Sequence, residues 1–177
     1  QWLKNRLHLE VSKEKNIEEG RRAFVVYKIQ LKRLLQAATE INQEIDIKLS
    51  DAQIIDIAYI CFYYGQSDTW VEFIRQKLSF HPGGGVIAEI MLEKVNACKD
   101  LKLGRTNQTE LSSYFRNMYN AIKLVHNDEY LSSNEKIDLV KIYRAQLSNP
   151  ELYILFFNLV SRFGKKWNEK GYIEKYE

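Results

Sequence analysis

Apolar positions along the chain recur mostly at intervals of three and four, the spacing that lays one stripe along an α-helix. From Gly20 to about Gln43 the stripe is Phe24, Tyr27, Leu31, Leu34, Ala38 and Ile41. Ser50-Asp51-Ala52-Gln53 has the form of a capping box, so a second helix is expected to start there. Its body, Ile54 to Tyr64, is apolar on nearly every side and reads as the buried central helix, stopped by Gly65. A third helix is expected from Thr69-Trp70-Val71-Glu72 to about Phe80, and a fourth from Val86 to about Leu101. Pro82 and Gly83-Gly84-Gly85 lie between them and predict a flexible break at 82–85. After a polar link, Gly104 to Thr109, a fifth helix carries Leu111, Phe115, Met118, Ile122 and Val125. Ser132 and Glu135 open a sixth, running to about Leu147. Asn149-Pro150-Glu151 signals a seventh, reaching about Phe163 and stopped by Gly164. No strand stands out. The expectation is an all-α bundle of about seven helices, a single domain over residues 1–177.

Composition agrees. Two prolines and eight glycines in 177 residues are too few for the turns of an all-β sandwich. The net charge of +3 is spread evenly over both halves, which disfavours a dedicated duplex-binding protein. One local exception is the first helix, where Arg21, Arg22, Lys28, Lys32 and Arg33 form an arc with no acid between Gly20 and Thr39. Such an arc can face phosphates or an anionic surface, although a solvated face is the commoner outcome. Cys61 and Cys98 are far apart among apolar neighbours and read as buried thiols in a reducing compartment, so a cytoplasmic location is expected. No apolar run approaches the ~20 residues of a membrane span. The chain opens on Gln1 rather than Met, from which we expect the soluble part of a longer protein.

Reactive chemistry is sparse. His8, His81 and His126 are scattered, with no HExxH, CxxC or GxSxG, and no metal or cofactor is expected. Arg75 and His81 match the loose arginine-to-histidine spacing of helical HEPN-type ribonucleases, in which histidine serves as general acid or base and arginine holds the scissile phosphate. That spacing has poor specificity, and an exposed pair at a helix end is the commoner meaning.

The stretch Tyr143 to Leu152 is the unusual one. Taking the sixth helix at 100° per residue, Arg144 falls at about 340° from Ile137, on the stripe with Val140 and Leu147. A buried arginine needs a paired acid or several acceptors. On the seventh helix Glu151, Asn158 and Arg162 occupy a narrow polar strip. A buried cluster of Arg144 with Glu151 or Asn158 across the turn is therefore expected, either as a fastener between helices or as a site.

Tyr114-Phe115-Arg116-x-x-Tyr119, then Tyr143-Arg144-Ala145-Gln146-Leu147-Ser148-Asn149-x-Glu151-Leu152, then Leu155-Phe156-x-Asn158, resembles the phage abortive infection family of AbiC-like proteins. Ser161, Gly164 and Ile173-Glu174-Lys175-Tyr176 continue the resemblance, and fainter agreement lies at Gly20-Arg21-x-Ala23-Phe24 and Phe62-x-Tyr64-Gly65. Asn117 stands where many relatives carry histidine. The resemblance implies anti-phage defence in a bacterium and, in many members, transmembrane helices ahead of this domain, which would attach the protein to the inner face of the membrane. Of the candidate residues, Tyr114, Arg116, Arg144, Gln146, Ser148, Asn149, Glu151 and Asn158 form the cluster of interest. Three functions compete: a defence effector or sensor acting through a protein partner or a homo-oligomer, an RNA-cleaving HEPN-like toxin using Arg75 with His81 or else Arg116 and Arg144 with a further, unassigned residue, and a helical scaffold or oligomerisation module.

Overall fold

The computed structural model describes residues 11–13, 16–18, 20–45, 47–65, 71–97 and 106–176. Apart from a hairpin of two three-residue strands, β1 (Val11–Lys13) and β2 (Asn16–Glu18), paired antiparallel with Ser12 opposite Ile17, the described chain is helical. The helices are α1 (Arg21–Glu44), α2 (Asp51–Tyr64), α3 (Val71–Leu78), α4 (Gly84–Ala97), α5 (Thr106–Asn127), α6 (Ser133–Ala145) and α7 (Asn149–Val160), followed by a 3-10 turn (Arg162–Gly164) and two short helices, α8 (Lys165–Glu169) and α9 (Tyr172–Tyr176). The seven long helices are those expected. The hairpin and the two terminal helices are additions, too short to leave a periodic signal in the sequence.

The expected stripe of α1 is fully buried, with Tyr27 standing edge-on to Phe62 of α2 at 5.8 Å and Phe24 packed on Tyr114 of α5 at 4.9 Å. Ser50 caps α2 as a complete capping box, accepting from the Gln53 amide while the Gln53 side chain accepts from the Ser50 amide at 2.9 Å. From Ile57 to Phe62 α2 is buried on every side, which is why its sequence shows no polar face. Asn107 of α5 donates to the Phe62 carbonyl at 2.9 Å, occupying one acceptor at the end of this buried helix.

Four expected boundaries moved. The break at 82–85 is not a free joint: Gly84 and Gly85 already belong to α4, and the turn occupies residues 79–83. A Cβ on Gly84 would collide with the Leu78 carbonyl, so glycine there permits close approach of α3 and α4. Gly83 adopts φ 66°, and a Cβ on it would also strike Ile47. The residues 106–109, expected in a link, are the first turn of α5. The cap of α7 is Ser148, not Asn149: Ser148 and Glu151 make the capping box, with Asn149 and Pro150 inside the first turn. Finally, α7 ends at Val160, before the 3-10 turn. The expected cap at Thr69 and Trp70, the tail of the fourth helix at 98–101, Cys98 and His8 lie outside the described residues.

Candidate functional site

The α6–α7 turn and the helices around it form the most elaborate part of the surface. Glu151, in the first turn of α7, is buried to 3% exposure. One carboxylate oxygen accepts from the Ser148 amide and hydroxyl, both at 2.7 Å, and the other accepts from the Tyr114 hydroxyl of α5 at 3.2 Å. Its charged partner is Arg21, whose Nε lies 3.8 Å away and whose Nη2 donates to the Gln146 carbonyl at 2.7 Å. The carboxylate also sits at the positive end of the α7 dipole. Burial, and then the adjacent carboxylate of Glu151, push the Tyr114 phenol well above its ordinary range, so it remains a donor. Together these bonds fasten the beginnings of α1 and α7 to the middle of α5.

The expected pairing of Arg144 with Glu151 or Asn158 does not occur. Arg144 is exposed, and the arginine that meets Glu151 arrives from α1 instead. The reason is that α6 is a thinly covered edge helix: Val140 is its buried residue, while Ile137 and Leu147 are only half-buried. A position on that stripe therefore remains in contact with water. Asn158 is buried and donates to the Tyr59 hydroxyl at 2.9 Å, holding α7 to α2. Arg116, Gln146 and Asn149 are exposed. Of the expected cluster, the structure joins Tyr114, Ser148, Glu151 and the Gln146 backbone, and leaves Arg116, Arg144, Asn149 and Asn158 apart from it.

Arg144 stands instead at the mouth of an open cleft of about 420 Å³. Its walls come from α5, α6, α7, α8 and α9: Met118 and Ile122 on the floor, Leu155 and Leu159 along α7, and the aromatic wall of Trp167 and Tyr172. Tyr119 stands edge-on to Trp167 at 5.3 Å behind that wall, and His126 bonds the Tyr176 hydroxyl through Nδ1 at 3.0 Å. Burial and the nearby Lys175 and Lys136 push the His126 imidazole below its usual range. Phe156 and Val160, on the rim, are 55% and 46% exposed. A mostly apolar concavity of this size with few polar groups is the usual form of a binding site.

A second polar cluster was not legible in the sequence. Arg162, just past α7, donates Nε at 2.9 Å and Nη2 at 2.6 Å to one oxygen of Asp56 on α2, and its amide donates to the other oxygen at 3.0 Å. His81, in the α3–α4 turn, places Nε2 3.0 Å from the same Asp56 Oδ2 and 3.2 Å from Arg162 Nη2. Since the ionised Asp56 carboxylate can only accept, the coherent arrangement has Nε2–H donating to Asp56, and the approach of Arg162 Nη2 to the ring is then a contact between two donors rather than a hydrogen bond. Burial raises the Asp56 pKa, but the hydrogen bonds from His81 and Arg162 outweigh it and hold the carboxyl at about 2. Phe80 covers the Arg162 guanidinium at 3.5 Å. Arg75, the other half of the expected pair, is turned to Glu72 at 2.6 Å and to Glu89. The structure thus places Arg75 and His81 in two different networks, and the arginine beside His81 is Arg162.

The basic arc of α1 divides in the same way. Arg21 serves Glu151, while Lys28 and Lys32 lie over the Tyr153 ring at 5.3 and 5.9 Å, so one line of cations is folded against α7. Arg22 is exposed and Arg33 half-buried, further round the helix, and the exposed apolar Val25 and Ile29 interrupt the arc.

Among the described residues no His, Cys, Asp or Glu side chains converge in a group that could hold a metal ion, and no helix is long and apolar enough to cross a membrane. The protein thus has an all-α fold, with one short hairpin beside the helices among the described residues, and an open apolar cleft at its C-terminal end. The family model described as "Putative phage abortive infection protein" matches residues 106–177, the segment that builds every wall of that cleft. The match supports a role in phage abortive infection. No curated protein and no solved structure matches the chain.

Proposed function

We propose that this chain serves anti-phage defence as an effector or sensor that works by binding another protein through the cleft between α6, α7 and α9. One observation carries the reading. The sequence of α7 is apolar on nearly all sides, the pattern of a helix buried all round, yet Phe156 and Val160 stand in the open. A helix written for burial and left half-covered calls for a covering surface. The motif residues that resemble the family support it from beneath: Ser148, Glu151 and Tyr114 fix the entry of α7 and so the line of the rim.

Plating of phage on bacteria carrying the full-length protein tests this. Phe156→Asp and Val160→Asp should each abolish protection while the protein stays folded and at its normal cellular level. Undiminished protection by the Phe156→Asp, Val160→Asp double variant would overturn the reading. Total RNA from the same infected cells, compared with an Arg144→Ala strain, separates this mode of action from RNA cleavage.

A further inference from the structure

We infer that the occupant of the cleft is an amphipathic α-helix of a different protein, carrying a carboxylate that pairs with Arg144; this rests on the binding reading above and names the chemistry of the partner. The shape of the cleft argues for a helix. Leu152, Phe156 and Val160 form one ridge at intervals of four along α7, with Leu155 and Leu159 as the next. Parallel ridges on a helical wall accept the i, i+3, i+4, i+7 anchors of another helix.

Charge selects the partner. Arg144 is the one charged side chain among the cleft's lining residues, and it has neither a hydrogen bond nor an ion pair from its guanidinium among the described residues. Closing the cleft over it without a partner would strand a cation, which is costly. A second copy of the chain does not answer this. In a two-fold interface the same surface faces itself, so each Arg144 would meet only the lining of the other copy's cleft, which holds no acid. A foreign helix with an Asp or Glu beside its apolar face answers both the exposed apolar rim and the open guanidinium.

The test is selection from a yeast-displayed library of four-turn helical peptides, sorted on the purified full chain and counter-sorted on Phe156→Asp. The enriched peptides should carry apolar anchors at helical spacing and one acid. Changing that acid to Lys should weaken binding about tenfold or more, and Arg144→Glu should restore the Lys peptide while weakening the original. Circular dichroism confirms that the exposed Arg144→Glu variant is folded. Peptides that bind equally to wild type and Arg144→Glu would overturn the acidic-partner inference and leave the binding reading standing. A Phe156-dependent dimer in sedimentation, or no peptide distinguishing wild type from Phe156→Asp, would overturn the foreign helix. Failure of the binding reading itself would appear separately, as protection that persists in the Phe156→Asp, Val160→Asp double variant.

Discussion

The two apolar clusters of this molecule are packed to different ends. The first, built on α1, α2 and α4 with contributions from α3, α5 and α7, joins 25 buried residues among those described, most of them almost wholly out of water. The second, between α5, α6, α8 and α9, has six, and its boundary is the cleft. Tyr114 and Leu155 pack against both clusters. Stability should therefore reside mainly in the first cluster, whereas the second borders an open surface. The segment resembling a defence family, residues 106–177, contains all of the second cluster and little of the first.

The strongest way to break this comparison is to truncate one aromatic in each cluster. Phe62, fully buried between Tyr27 and Tyr59, should lose about 4 kcal/mol as Phe62→Ala. Trp167→Ala removes a wall of an already open cleft, so the cavity penalty is smaller and about 2 kcal/mol is expected despite the larger side chain. Urea unfolding of both variants decides it. Equal losses would mean that the second cluster is as tightly supported as the first.

A smaller effect comes from acid. The Asp56 carboxyl is held at about 2 against an ordinary value of 3.8, by His81 and Arg162. A carboxyl depressed on folding contributes stability that is present above its unfolded pKa and lost as pH falls toward the folded value. The protein should accordingly lose about 2 kcal/mol between pH 5 and pH 2 through this group. Asp56→Asn should flatten that part of the profile, as followed by thermal melts across pH. Unchanged steepness in Asp56→Asn would show that the cluster does not link α2 to the end of α7.

Much of the first cluster is legible in the sequence because it is local. The α1 stripe, the all-round apolarity of α2 and the Ser50 and Ser132 capping boxes are patterns within one helix, and each appears as read. The polar junctions are not local. Asp56, His81 and Arg162 come from three elements, and only the folded chain places them within 3.2 Å. Arg21 and Glu151 are paired across nearly the whole chain for the same reason. Arg144 illustrates the opposite error. Helical angle places it correctly on the stripe of α6, but the depth to which a stripe is buried depends on what lies opposite, and there the cleft is open.

Next in size is the fastening at the cleft's edge. Ser148→Ala removes a hydroxyl that donates to Glu151 at 2.7 Å and accepts the Glu151 amide, so about 1–2 kcal/mol should be lost. Ser148→Asp, which also caps helices, would instead repel the buried carboxylate of Glu151. Aspartate that stabilised the protein here would overturn this account of the junction. In the first cluster Tyr27→Phe should move stability the other way. Among the described residues the buried Tyr27 hydroxyl has no hydrogen-bond partner, and its removal should add about 1 kcal/mol in the same unfolding assay.

The smallest expected loss of stability is the most informative about the comparison. Phe156 is as large as Phe62 but more than half exposed, so Phe156→Ser removes far less buried surface and should cost only about 1 kcal/mol. Among the described residues its aromatic contact is with Phe157 of its own helix, at 5.2 Å. If the second cluster holds its surface open for a partner, this mild substitution should nevertheless remove phage protection. A substitution that costs the fold little and the function almost everything separates a binding surface from a core. A loss of several kcal/mol from Phe156→Ser would instead place Phe156 in the core and erase the contrast between the two clusters.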